Sequence, residues 1–286
     1  MSYSTVERGT LHTLDYRVFI KDGENVINPW HDIPLFHNEG DKIYNMIVEI
    51  PRFQNAKMEM ATKEVGAPIK QDEKKNAPRF VNNIFPFRGY PWNYGALPQT
   101  WEDPNHVDTN TNAVGDNDPI DVIEIGTKRH QIGSVVQVKA VGVLALLDEG
   151  ETDWKIVAID ITDEKAGQIN DINDIERVFP GVLSSSVNWF KTYKVPTGKP
   201  LNEIAFNEQF QNAEFAHKVI AETNEFWKCL IKEAEPKLNT ECFVEGAAHG
   251  ASAEVFNELP KSHPEHQSPA TYPATVDNVF YYSPGN

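Results

Sequence analysis

VVQVKAVGVLALLDEGETDWKIVAI, residues 135–159, decides the fold class. Val135–Leu147 and Trp154–Ile159 are β-branched, apolar runs that read as strands, joined by an acidic loop. Working outward, Pro119–Ile125 gives another strand pattern. Upstream, Met46, Val48 and Ile50 would share one strand face, with Ile47 and Glu49 on the other. Ala56, Met58 and Met60 alternate in the same way with Lys57 and Glu59. Leu14–Ile20 repeats the pattern near the N-terminus and closes on the turn signal Lys21-Asp22-Gly23. No helix alternates with these early strands, so a small closed barrel suits them better than a parallel α/β sheet. Helices come late. Asn170 or Asp171 can cap one that runs to about Phe179 and stops at Pro180-Gly181. A second runs from about Ser184–Ser186 to Lys194. A third, the longest, is expected from about Glu208 to Glu233, with Phe215, Val219, Phe226, Trp227, Leu230 and Ile231 broadly on one side. The expected class is therefore mainly β, α+β in order: a β-barrel with helices packed outside.

The chain has 286 residues, with 42 Asp+Glu against 26 Lys+Arg and a net charge of −16. That balance argues against nucleic-acid binding, which needs clustered Lys/Arg, and against docking on anionic membranes. It favours hard cations wherever carboxylates converge. The longest apolar-and-glycine run, Ala140–Leu147, is far short of a membrane span. MSYSTVERGT at the N-terminus lacks the apolar core of a secretory signal. The two cysteines, Cys229 and Cys242, form no CxxC and read as reduced thiols of a cytoplasmic protein. Three textures divide the chain: an N-terminal extension (1–45), a body (46–235) and a tail (236–286) holding six of the 19 prolines. The tail is expected to lie extended over the body, its end Val279–Tyr282 apolar enough to dock as a strand or clasp.

Asp116-Asn117-Asp118-Pro119-Ile120-Asp121 puts three carboxylates within six residues. They cannot all ionise cheaply without a countercharge, and Mg²⁺ with oxygen ligands would supply one. Read alone, the pattern fits a solvated acidic turn equally well. The loop Asp148–Asp153 carries four more acids, and Asp153 and Lys155 project from one strand face; alone it reads as an exposed acidic hairpin. Lys57 and Glu59 share a polar strand face. Arg79, Tyr90, Tyr94, Tyr193 and Lys194 offer donors suited to phosphate oxygens. No GxxxxGK[ST], GxSxG or HExxH occurs, and the nine histidines show no metal-ligand spacing. His263 and His266, in the tail, read as solvent-exposed.

Taken together these residues resemble the soluble family I inorganic pyrophosphatases. DNDPIDV (116–122) matches the family signature, and four further blocks agree in order: VEIPRFQNAKMEM (48–60), FPFRGYPWNYGALPQTWEDP (85–104), VKAVGVLALLDEGETDWKIVAID (138–160) and NWFKTYKVPTGKP (188–200). The N-terminal strand, late helix and C-terminal tail resemble the longer eukaryotic type. The resemblance implies one domain over 1–286, an OB-type five-stranded β-barrel with flanking helices and terminal extensions. It implies hydrolysis of diphosphate to two orthophosphates by a cytoplasmic homodimer. Mg²⁺ would be preferred, several ions per site; Mn²⁺, Co²⁺ or Zn²⁺ could substitute, and Ca²⁺ should inhibit.

Carried over by position, Asp116, Asp121 and Asp153 would ligate the first metal, with Asp121 serving the second and Asp148 with Asp153 a further one. Glu59 would act on metals through water, with Glu49 behind it. Asp118 would be the general base. Lys57, Arg79, Tyr193 and Lys194 would bind the phosphates, while Tyr90, Tyr94, Asp103 and Lys155 would hold the site together, Tyr90 and Lys155 close to substrate and Tyr94 close to the chemistry. Two rivals stand beside this reading: a metal-dependent phosphatase acting on nucleotides or phosphomonoesters, and an OB-fold module stacking single-stranded nucleic acid on aromatics such as Trp92 and Tyr94.

Overall fold

The computed structural model describes residues 2–282. In chain order its principal strands are β1 (Tyr3–Arg8), β2 (Arg17–Asp22), β3 (Ile43–Ile50), β4 (Met58–Met60), β5 (Ile69–Gln71), β6 (Asn93–Ala96), β7 (Asp121–Glu124), β8 (Val135–Asp148) and β9 (Glu151–Asp160). β9 pairs parallel with β7; β7 with β6, β6 with β3, β3 with β8, and β8 with β9 pair antiparallel. These pairings close a ring of five strands, consistent with an OB-type barrel and leaving no edge along its wall. A second sheet, in the order β1-β2-β5-β4, stands beside the ring.

Both faces of the ring wall are covered, which is why β8 and β9 read as continuous apolar runs. On one face Met46, Val48, Val143, Ala145 and Ile156 pack with Ala216, Val219 and Ile220. On the other, Leu144, Leu146, Val157 and Ile159 pack with Trp189 and Phe190. β3 and β6 approach so closely that a Cβ on Gly95 would meet the Ile47 carbonyl oxygen at 1.9 Å, so only glycine fits there.

The longest helices among the described residues are α1 (Ile172–Val178), α2 (Val182–Thr192) and α3 (Ala213–Leu230). Asp171 caps α1 in a reciprocal box with Asp174, as its sequence suggests. α2 begins two residues before Ser184 and ends at Thr192. α3 corrects the expectation of a helix from Glu208. Phe206, Asn207 and Glu208 have φ of 54°, 54° and 64°, which breaks the helical path, and Asn212 caps the helix instead. The N-terminal strand also shifts: Leu14–Tyr16 lie outside β2, which continues through Lys21-Asp22 and ends before Gly23.

The tail is extended but not without helix. Ala253–Glu258 forms a short one that buries Phe256 against Phe19 and Val26. Gly9 N–H donates to the Pro264 carbonyl at 2.8 Å, Gln267 N–H to Gly9 at 3.0 Å and Ala270 N–H to Leu11 at 2.9 Å, so the tail tracks the N-terminal segment. Val279–Phe280 (β10) pairs in parallel with Asn83–Ile84, the clasp its composition suggests. His266 is exposed, but His263 is half-buried, its Nδ1 against the Leu259 carbonyl and its ring 5.3 Å from that of Phe19. Among the described residues no helix is long and apolar enough to cross a membrane.

Candidate active site

The acidic loop is held open by its own backbone. Asn117 has φ of 74°, a left-handed position that asparagine tolerates. Asn117 N–H donates to the Glu102 carbonyl at 2.9 Å, Glu102 N–H donates to Asp118 at 2.9 Å, and the Trp101 indole donates to the Asn117 side chain at 3.1 Å. This zipper fixes Asp116 and Asp118 just before β7. Asp121, at the start of β7, lies opposite Lys155 of β9 in register, and Asp153 sits two residues earlier on the same face. The Lys155 Nζ therefore contacts Asp121 Oδ2 and Asp153 Oδ1 together, and donates to the Tyr94 hydroxyl at 3.0 Å. Tyr94 in turn donates to Asp121 Oδ2 at 2.5 Å.

Two further ion-pair groups face this one. Lys57 Nζ lies 2.5 Å from Glu59 and 3.3 Å from Asp72, and Arg79 lies 2.8 Å from the same Asp72. Backbone bonds set this up: Lys57 N–H to the Arg79 carbonyl, Arg79 N–H to Asp72, and Asp72 N–H back to Lys57. At the end of α2, Tyr193 stacks on Trp189 at 4.8 Å and Lys194 pairs with Asp148. Tyr90 lies 4.9 Å from Trp189 and 5.1 Å from Tyr94, completing an aromatic wall.

All of these side chains line one cavity of about 630 Å³, as do Glu49, Asp116 and Asp118. The residues named from the sequence for catalysis, substrate and metal are thus brought together. Asp103 is not: it lines a separate small pocket with His106 and accepts from Asn105 N–H at 2.8 Å.

The family described as inorganic pyrophosphatase matches residues 46–228. The chain belongs to the inorganic pyrophosphatase family. Inorganic pyrophosphatase 1 of Caenorhabditis elegans is 62% identical over 279 residues, covering 98% of this chain, and the chain spans 65% of that relative's length. The inorganic pyrophosphatase of Bos taurus is 45% identical over 288 residues, covering 98% of each. The solved inorganic pyrophosphatase of Schistosoma japonicum superposes with a TM-score of 0.92 at 45% identity, covering 98% of this chain and 100% of that one.

In this site the carboxylates outnumber the nearby cations, and their electrostatics follow. Burial, then the charges of Asp153, Asp118 and Asp121, push the Asp116 carboxyl well above its usual range. Partial removal from water inside the cavity, then Glu59 and Asp121, raise Asp118 to about 7 against the pull of Lys57, although its side chain is open to solvent on one side. Burial lifts Asp153 to about 7 although Lys155 opposes it. Glu49, which accepts from Met60 N–H at 2.7 Å, is raised by burial and then by Asp121. Burial opposes the Lys155 charge, yet Asp121 and Asp153 hold its pKa well above the ordinary lysine value.

Sequence reading missed two acids. Glu102, Asp116 and Asp153 bring carboxylate oxygens within 4.8 Å of one another, whereas the expected trio had Asp121 in place of Glu102. Asp121 is turned instead toward Lys155 and Tyr94. Glu102 Oε1 accepts from Trp154 N–H at 2.9 Å, and its buried Oε2 has no partner. Its one available signal was its place in the WEDP block beside Asp103. Asp72, which pairs with both Lys57 and Arg79, carried no signal beyond a polar run.

Proposed function

We propose that this family member hydrolyses inorganic diphosphate to two orthophosphates, its residues 1–286 acting as one domain. The observation that carries this reading is the meeting of Lys57, Arg79, Lys155 and Lys194 with a crowd of carboxylates in one cavity, the arrangement needed to hold a small polyanion together with cations.

The donor set fits a hard divalent cation. Three carboxylates converge, all oxygen ligands, and the buried Glu102 Oε2 lacks any donor. We assign Mg²⁺, held by Asp116 and Asp153 with Asp121, Asp148 and Glu59 in support and Glu49 behind. When bound, it would offset the charge of diphosphate and lower the pKa of a water. The chain's own groups do the rest. Arg79 presents a planar fork to phosphate oxygens, and Lys57 and Lys194 act as point charges. The Tyr193 hydroxyl adds a donor, and Tyr90 and Tyr94 bound the anion on its aromatic side. Asp118, facing Lys57 and Glu59 across the cavity, accepts the proton of the attacking water at its carboxylate. Lys155 keeps Asp121 and Asp153 in place.

The active form is a homodimer in the cytoplasm. An exposed apolar patch supports the dimer: Phe85, 62% exposed, stacks on Tyr281, 80% exposed, beside Phe280. The free thiols Cys229 and Cys242 support a reducing compartment.

Phosphate release measured on diphosphate and on ATP, in Mg²⁺ and then in Zn²⁺ or Mn²⁺, tests the assignment. Diphosphate should be strongly preferred in Mg²⁺. Equal or faster release from ATP would replace it with a general phosphatase.

A further inference from the structure

Carboxylates outnumber cations twelve to six among the residues that line the cavity. The protein groups alone present net negative charge to a phosphate anion arriving from solvent, on a chain whose total is already −16. Positive charge gathered at the mouth would raise the rate of approach.

One hairpin carries such charge. Between Asp72 and Arg79 the chain leaves the site as Glu73–Lys74 and returns as Ala77–Pro78, with Glu73 opposite Pro78 and Lys74 opposite Ala77. The tip is left as Lys75–Asn76, with φ of 56° and 59°. Both residues are left-handed, the geometry of a tight two-residue turn that normally favours asparagine or glycine. Asparagine meets that preference at the second position; at the first the chain carries a lysine. Lys74 and Lys75 are exposed. Slight burial, then the nearby charges of Arg79, Lys199, Lys194 and Lys75, lower the Lys74 pKa. Lys199 stands at the cavity rim in an ion pair with the lining residue Glu149 at 2.8 Å, which offsets part of its charge.

We propose that Lys74, Lys75 and Lys199 form a cationic collar at the cavity mouth that captures the phosphate anion and delivers it to Lys57, Arg79 and Lys194. The collar rests on the diphosphate reading above. It acts on encounter and leaves the chemical step alone. Glu73, on the same hairpin and in the lining, opposes capture, so its neutralisation should act in the reverse sense.

The test compares the triple variant Lys74→Gln, Lys75→Gln, Lys199→Gln with a control of equal charge change, Lys218→Gln, Lys228→Gln, Lys261→Gln, none of which lines the cavity. With diphosphate at fixed Mg²⁺ and low ionic strength, the collar variant should lose about three- to tenfold in kcat/KM with kcat unchanged. The loss should vanish at about 0.5 M salt, where screening is complete over a few ångströms. Glu73→Gln should raise kcat/KM at low salt. Equal losses in collar and control variants, a loss that persists at high salt, or no loss at low salt would each overturn the collar while leaving the diphosphatase reading intact. A wild-type chain inert on diphosphate would overturn that reading, and the collar with it.

Discussion

Replacing Lys155 by methionine shortens the unbranched side chain by one atom and removes its charge. Lys155 is 2% exposed, and its ammonium touches Asp121, Asp153 and Tyr94. In the variant the buried Asp153 and the half-buried Asp121 face each other with no cation between them. Removing one partner of a buried pair costs about 3–5 kcal/mol, because the remaining charge stays desolvated. Part of that cost is recovered if Asp153 takes up a proton, which it already does at about pH 7 with Lys155 present. The cost is also recovered if a divalent cation replaces the ammonium. Metal therefore decides the size of the effect. In EDTA the variant should melt about 10 °C below wild type, taking roughly 2–4 °C per kcal/mol for a large domain. In saturating Mg²⁺ the gap should shrink by at least half. Thermal melts of both proteins in both buffers measure it. An equal gap in the two buffers would mean that Lys155 acts through packing alone. No gap in EDTA would mean that it does not neutralise the two acids.

Asp118→Asn should lower turnover about 10²–10⁴-fold, the usual contribution of a general base, while Mg²⁺ binding is retained; turnover equal to wild type across pH would remove Asp118 from that role. Glu102→Gln should weaken Mg²⁺ binding by about tenfold or more, read by tryptophan fluorescence in the absence of substrate. An unchanged titration curve would exclude Glu102 from the cation's surroundings. Ca²⁺ alone should not support turnover and should inhibit the Mg²⁺ form, since it takes more ligands at longer distances; full activity in Ca²⁺ would refute this. His31 sets an acid limit on stability. Burial lowers its pKa from 6.5 to about 4. Its Nδ1 accepts from the Trp227 indole at 2.9 Å while Nε2 faces the Asn239 carbonyl at 3.1 Å, so the ring is needed neutral. A depressed folded pKa stabilises above pH 6.5 and is lost as pH falls toward 4; at about pH 5 the loss should be about 2 kcal/mol. Urea unfolding of wild type and His31→Gln should give curves that converge with acid, and parallel curves would contradict the assignment.

How much could be read from the chain differs with the range of the interaction. β8 and β9 were legible because both of their faces are buried, which leaves long β-branched runs. β1 was not, because YSTVER is largely exposed and takes its strand form from pairing with β2. The start of α3 was misread because Glu208 and its neighbours look helical in composition. What excludes them is a left-handed backbone at Phe206–Glu208, which hydrophobic periodicity does not register. Within the site, Asp116, Asp118 and Asp121 announce themselves by spacing. Glu102 joins them only because its carboxylate accepts from Trp154 N–H, 52 residues away. Asp72 matters only because the hairpin after it returns Arg79 to its side. Asp103 had the same local credentials as Glu102, but its carboxylate turns toward Asn105.

The aromatic wall gives these charges their weight. Tyr90, Tyr94 and Trp189 are buried, and burial pushes the Tyr90 hydroxyl up to about 12, so the phenols stay neutral and donate hydrogen bonds without adding charge. A neutral wall that excludes water lowers the local dielectric and strengthens every charge–charge interaction beside it. It tightens the hold of Lys155 on Asp121 and Asp153, and it sharpens the repulsion among Asp116, Asp153 and Glu102. Those three cannot be fully ionised until an external cation joins them. Cation binding must therefore release protons from the cluster, and affinity for the metal should climb with pH through the range in which Asp153, near 7, gives up its own.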